Sequence, residues 1–151
     1  MKRVCLRTLG SFLLALPALA AQPGIHAQFV GGTLPEFSKS SARLDLSDGA
    51  ALTVHNQHCD LRIPYGKVNA IEYGQNVSRR YAAAVLISPV LLLSKSRKHF
   101  VTVGYTDEEG KQQAVVMRVE KGDIRSLLAS LEARTGRRVE YQDDEARKGN
   151  R

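Results

Sequence analysis

Apolar and polar residues alternate along most of the chain, a spacing typical of half-buried β-strands. The alternation runs from Ala42 to Leu46, is interrupted at Asp48-Gly49, and resumes from Ala50 to Val54. Because Asp-Gly favours a tight turn between antiparallel strands, this stretch predicts a β-hairpin. Further strands are predicted at 25–33, 61–63, 68–73, 100–105 and 113–119. The total is about seven short strands.

The hydrophobic period changes near the C-terminus to that of a helix. Large apolar residues recur there at the spacing i, i+3, i+4 and i+7: Ile124, Leu127, Leu128 and Leu131. We expect Asp123 to cap the N-terminus of this helix, and Gly136 to close its C-terminus in the left-handed conformation. The chain is therefore predicted to be mainly β with one C-terminal α-helix.

One stretch departs from the strand pattern. Residues Tyr81–Leu93, called the apolar segment below, contain no charged side chain. Its large aliphatic residues are Val85, Leu86, Ile87, Val90, Leu91, Leu92 and Leu93. Basic residues precede and follow it: Arg79, Arg80, Lys95, Arg97 and Lys98. Full burial of the aliphatic side chains is worth roughly 10–20 kcal/mol, so we expect them to leave water.

Two interpretations of the apolar segment remain open. In the first, it folds back on the domain or forms a self-association surface, as apolar runs of this length commonly do. In the second, it dips into a bilayer, with its basic flanks near anionic headgroups. Either way it predicts an interaction site, whose partner is an unknown protein, a second copy or a membrane surface.

The N-terminus has the pattern of a secretory signal peptide. Lys2 and Arg3 precede an apolar stretch from Ser11 to Leu16, and Ala18-Leu19-Ala20 is a small-residue cleavage pattern. We therefore predict a signal peptide at 1–20, cleavage near Ala20, and a periplasmic or secreted product. The predicted organisation continues with a disordered lead at 21–26, a β domain at 27–141 with an insertion at 79–98, and a disordered charged tail at 142–151.

Charge and cysteine content change once the signal peptide is removed. The full chain has 22 Lys and Arg against 15 Asp and Glu, a formal charge of +7, and three of the basic residues lie in the first 20 positions. A mildly basic exported protein has little access to nucleic acid, so no nucleic-acid partner is expected. Cleavage also removes Cys5 and leaves Cys59 alone, which excludes a disulfide within one mature chain.

Side chains that could ligate a transition metal cluster in one short stretch: His55, His58, Cys59 and Asp60. On a continuous strand His55 and His58 would face opposite sides, so joint ligation requires a turn at Asn56-Gln57. A polar hairpin loop is the favoured interpretation, and a small metal-dependent or ligand-processing enzyme is the alternative.

His99, at the start of a predicted strand, is expected to be a solvated or capping residue. No Gly-rich phosphate loop, G-x-S-x-G, H-E-x-x-H or C-x-x-C occurs, and we therefore expect a non-catalytic protein without a cofactor.

Three strand patterns and the terminal helix resemble the bacterial pleckstrin-homology-like and GRAM-like barrels. They are Ile63-Pro64-Tyr65, Ile71-Glu72-Tyr73-Gly74 and the run from Lys98 to Tyr105, and the resemblance covers roughly residues 29–141. It implies an antiparallel barrel of about seven strands whose open end is plugged by the helix. It also implies a binding module rather than an enzyme. The chain departs from the phosphoinositide-binding members, because Arg43 stands almost alone where they carry a basic first strand pair.

Overall fold

The computed structural model describes residues 24–34, 40–57, 59–75 and 98–142. These residues form eight strands and one α-helix, with a 3-10 turn at Tyr65–Lys67 between the fourth and fifth strands. The elements are β1 (Ile25–Gly32), β2 (Ser40–Asp45), β3 (Ala51–Asn56), β4 (Asp60–Pro64), β5 (Val68–Gly74), β6 (His99–Thr106), β7 (Gln112–Val119), α1 (Lys121–Thr135) and β8 (Val139–Tyr141). The predicted fold class, mainly β with a C-terminal helix, is confirmed. Strand β1 begins at Ile25, before the domain boundary expected at residue 27.

All eight strands belong to one sheet, in the order β4-β3-β2-β1-β7-β6-β5-β8. The predicted hairpin of β2 with β3 is present, and β6 and β7 form a second hairpin. Every ladder is antiparallel except that between β5 and β8, which is parallel. The sequence did not predict this parallel pair, because β8 has only three residues and reaches the sheet through α1.

The connection between β4 and β5 forces this sheet to curl. The two strands stand six positions apart in the sheet order, which corresponds to roughly 29 Å in a flat sheet. The chain joins them through the three-residue turn at Tyr65–Lys67, which spans at most about 15 Å. Within the described residues, however, no ladder joins the edge strands β4 and β8. The sheet is therefore curled but open, and the predicted closed antiparallel barrel is not confirmed.

Helix α1 fills the concave side of the curled sheet. Its four predicted core residues, Ile124, Leu127, Leu128 and Leu131, are all buried and join one cluster with side chains from all eight strands. At the C-terminal end of α1, Arg134 donates a 2.8 Å hydrogen bond from Nη1 to the carbonyl oxygen of Asp48. Its guanidinium carbon also lies 5.5 Å from the centre of the Tyr65 ring. The helix is thus fastened to both the β2–β3 loop and the turn that curls the sheet.

The two ends of α1 differ in how far they follow the prediction. Gly136 adopts the left-handed conformation, with φ of 67°, and its amide donates to the carbonyl oxygen of Glu132. The expected N-cap at Asp123 is wrong, because the helix starts at Lys121 and the capping position is Glu120. Asp123 lies in the first turn instead, where its carboxylate faces the positive end of the helix dipole. Strand β7 ends at Val119, directly before this capping position, and the Glu120 side chain makes no capping hydrogen bond.

Several predictions fall outside the described residues. They are the signal peptide at 1–20, residues 21–23 of the lead, the apolar segment at 81–93 with Arg79, Arg80, Lys95 and Arg97, His58, and the tail from residue 143. Lys98 is the basic flanking residue that the structure describes. Within the same described ranges, no helix combines the length and apolar character needed to cross a bilayer.

Candidate functional site

A cleft of about 670 Å³ lies where the ends of β1, β6 and β7 meet the start of α1. The strand register explains its position, because Val119 at the end of β7 is paired with Ala27 on one side and with His99 on the other. The chain then turns into α1 through Glu120 and Lys121. The cleft is lined by His26, Ala27, Gln28, Ser41, Lys98, His99, Arg118, Val119, Glu120 and Lys121.

The charged residues that line this cleft are predominantly basic. Lys98, Arg118 and Lys121 are cationic at neutral pH, and Glu120 is the acidic residue among the lining side chains. His26 and His99 add two imidazoles, which increase the positive charge when they are protonated. Opposing walls of one sign concentrate the electrostatic potential inside a concave site. The cleft, called the cationic cleft below, therefore suits a negatively charged ligand group.

His99 is held in a fixed position at the back of the cationic cleft. Its Nδ1 lies 2.7 Å from the hydroxyl oxygen of Tyr73, and the two rings are nearly parallel, 6.0 Å apart between centres. Partial burial lowers the pKa of His99 below the usual histidine value, and the charge of Lys121 lowers it further. The expectation of a solvated or capping histidine is therefore wrong. His99 is a half-buried, hydrogen-bonded residue that is mostly neutral at pH 7.

Tyr73 connects this site to the far edge of the sheet. It lies on β5 and is only 2% exposed, and its ring packs edge-on against Tyr141 of β8 at 6.0 Å between centres. The amide of Gln142 donates to the carbonyl oxygen of Tyr73 at 3.1 Å. The position of the His99 imidazole thus depends on packing that reaches the C-terminal strand.

The stretch 55–60 forms the β3–β4 turn that the metal hypothesis required. The amide of Asn56 donates to the carbonyl oxygen of Cys59 at 3.1 Å, and His55 is paired with Asp60 across the ladder. Nδ1 of His55 lies 2.9 Å from Oδ1 of Asp60, and its Nε2 lies 3.9 Å from Oδ2 of Asp45. Hydrogen bonds from Ser47 hold the pKa of Asp45 below its usual range. His55 therefore lies between two carboxylates, with both of its ring nitrogens directed toward an acidic group.

This arrangement brings together only part of the proposed metal cluster. Cys59 is half-buried and packs against the hydrophobic core, whereas Asp60 is exposed. His58 is outside the described residues. Among the residues that are described, no group of three or more His, Cys, Asp or Glu side chains is placed to hold a metal ion. The metal-dependent alternative thus gains no support from this turn.

Sequence reasoning missed the cationic cleft. The sequence pattern places Lys98 in a basic flank, Arg118 in the strand at 113–119 and Lys121 before the expected helix cap at Asp123, and gives the three no shared role. These three residues meet because β6 pairs with β7, which places His99 beside Val119 at the open end of the hairpin. Strand β1 then adds His26 and Gln28 to the lining through its pairing with β7, a contact between segments about ninety residues apart in the chain. The available signal was the basic residue at the end of each predicted element, which becomes informative once the pairing of β6 with β7 is known. No family model matches this chain, and no curated protein matches it, so the resemblance to pleckstrin-homology-like barrels stays a prediction.

Proposed function

We propose that this protein is an exported, non-catalytic binding module that associates with an anionic membrane surface through the cationic cleft. The observation that carries the proposal is the lining of the cleft, which holds three cations, Lys98, Arg118 and Lys121, and one carboxylate, Glu120. Export would follow from the predicted signal peptide and would place the protein beside lipid headgroups.

The position of Lys98 supports a membrane surface as the partner. Lys98 lines the cleft and is also the last residue of the basic flank that follows the apolar segment. Arg79, Arg80, Lys95 and Arg97 belong to the same basic flanks, so the sequence carries four further cations in this stretch of the chain. A cluster of cations of this size is typical of surfaces that bind anionic lipids.

The expected strength of the interaction follows from the number of cations. Each Lys or Arg close to an anionic bilayer contributes about 1 kcal/mol, so the three cations of the cleft supply about 3 kcal/mol. Removing them should weaken binding by a factor on the order of one hundred. Because the charges are partly exposed, added salt should weaken binding as well, with a screening length of about 8 Å at physiological ionic strength.

Co-sedimentation with vesicles tests the proposal. The protein expressed from the full sequence is mixed with vesicles of a zwitterionic lipid alone, or with vesicles that also contain an anionic lipid. We expect binding only to the second kind, and its loss in the variant Lys98→Gln, Arg118→Gln, Lys121→Gln. The matched control removes three exposed cations at the opposite end of the β6–β7 hairpin and of α1: Lys67→Gln, Lys111→Gln and Arg137→Gln.

The two triple variants have the same net charge, so they separate a local site from general attraction. Retention of binding in the control and its loss in the cleft variant would support the proposal. Equal loss in both would show that only net charge matters. An intact protein that stays in the supernatant with anionic vesicles at low salt would refute the membrane proposal outright.

A further inference from the structure

The central strands of the sheet are buried on both faces. One face belongs to the core under α1. On the opposite face, Thr102 is paired with Glu72 on one side and with Val116 on the other, so these three side chains share a side. Phe100 and Ala114 lie two residues from Thr102 and Val116 along the same strands and therefore share it too. These five residues, called the outer face below, are each less than 5% exposed.

No described helix or strand packs on the outer face. The buried side chains of α1 all belong to the core cluster on the other side of the sheet, and none of the five outer-face residues is part of that cluster. Gln142 reaches only the margin, where its amide nitrogen donates to the carboxylate of Glu72 at 3.1 Å. The nearly complete burial of Phe100, Thr102 and Val116 thus requires a covering element beyond the described residues.

We propose that the apolar segment, residues 81–93, packs on the outer face. The stretch that contains this segment leaves the sheet after Gly74 and returns to it at His99. Because Gly74 is paired with Phe100, both ends of the stretch lie beside the outer face. The other candidates fit less well. Residues 35–39 form too short a connection to cover three strands, and residues 1–20 are the predicted signal peptide.

The chemistry of the two surfaces agrees with this assignment. Phe100, Val116 and Ala114 offer an apolar surface to a stretch that carries seven large aliphatic side chains and no charge. Glu72 places a buried carboxylate on the same face, and Arg79 and Arg80 follow it closely in the chain. Buried carboxylates are stabilised by cationic or hydrogen-bonding neighbours, so the basic flank and the acidic residue are complementary.

Cysteine labelling tests whether the segment protects this face. In a chain with Cys5→Ser and Cys59→Ser, Thr102→Cys places a thiol on the outer face and Val103→Cys places one in the core. We expect both to resist a maleimide reagent. Replacing residues 81–93 by a Gly/Ser linker should then raise the labelling rate of Thr102→Cys toward that of an exposed reference, Asn69→Cys, and leave Val103→Cys protected. Continued protection of Thr102→Cys in the linker variant would overturn the proposal, and protection that varied with protein concentration would point to a second copy.

A second measurement applies if the linker variant does not fold, which would be evident from labelling of both thiols. In the intact chain, single cysteines are placed in turn at positions 85 to 92 together with Thr102→Cys, and the protein is oxidised. We expect an intrachain disulfide from at least one position, and none when Val103→Cys replaces Thr102→Cys. Failure of every pair to form would overturn the proposal. Neither measurement involves vesicles, so the packing of the apolar segment is tested separately from membrane binding by the cationic cleft.

Discussion

The two glycines of α1 provide a test in which the same substitution should have opposite effects at the two ends of one helix. Gly122 lies in the first turn and Gly136 caps the C-terminus, and at both positions a Cβ atom would meet no atom within 4 Å. Steric clash therefore plays no part at either position. The difference lies in the backbone, because Gly136 has φ of 67° whereas Gly122 is helical.

The magnitudes follow from these conformations. Gly122→Ala should stabilise the protein by about 0.5–1 kcal/mol, since alanine loses less conformational entropy on entering a helix. Gly136→Ala gains a similar entropic term but incurs about 1–2 kcal/mol for placing a Cβ in the left-handed region, so it should destabilise by about 0.5–1 kcal/mol net. The two variants should therefore differ by about 1–2 kcal/mol, which corresponds to several degrees in the melting temperature.

Urea unfolding followed by far-ultraviolet circular dichroism measures the difference. A third variant, Gly136→Asn, sharpens the test, because asparagine tolerates the left-handed conformation better than alanine does. It should retain more stability than Gly136→Ala. The reasoning is refuted if both alanine variants change stability in the same direction, or if asparagine at position 136 is no better than alanine.

Three further predictions concern Tyr73, His99 and Gly32. Tyr73→Phe removes the hydroxyl that lies 2.7 Å from Nδ1 of His99 and should lower the free energy of unfolding by about 1–2 kcal/mol in urea titrations; an unchanged value would show that this hydrogen bond gives no net stability. His99 should titrate below about 6.5 in NMR spectra, and Lys121→Gln should raise its pKa. As the pH falls, His99 is protonated in the unfolded chain before it is protonated in the folded one. Its contribution to stability should therefore be complete above about pH 6.5 and decline as the pH falls toward the folded-state pKa. A measured pKa of His99 at or above the usual histidine value would contradict both the lowered pKa and this pH dependence. Gly32→Ala should destabilise the protein by about 1–3 kcal/mol, because the new Cβ would lie 2.8 Å from the carbonyl oxygen of Ala114. Gly49 has open space around it, so the control Gly49→Ala should change the urea midpoint little. Equal effects of the two substitutions would contradict the steric argument.

Local patterns were sufficient to predict the elements of this fold. The alternation around Asp48-Gly49 identified the β2–β3 hairpin, and the spacing of Ile124, Leu127, Leu128 and Leu131 identified the buried face of α1. Both signals depend only on which side chains must avoid water, and that requirement is met within one hairpin or one helix. Gly136 was predictable for the same reason, since its backbone conformation depends on the adjacent helix alone.

Features that depend on strand order could not be predicted. The pairing of β1 with β7 supplies one side of the cationic cleft, and the three-residue turn after Pro64 curls the sheet without closing it. Neither follows from periodicity, because a strand's own pattern does not specify its neighbour. His99 illustrates the point, since its hydrogen-bond partner, Tyr73, lies on β5 rather than on its own strand.

The central place of β1 has a consequence for how the chain is made. Because its second neighbour, β7, is synthesised long after it, β1 has an unpaired edge until residue 119 has emerged, and the core lacks its helix until residue 135. Contacts of such sequence separation slow folding, and unpaired strand edges favour aggregation of nascent polypeptide. A chain truncated before β7 should therefore accumulate as insoluble material, and the full-length chain should depend on holdase chaperones until β7 and α1 can join the sheet.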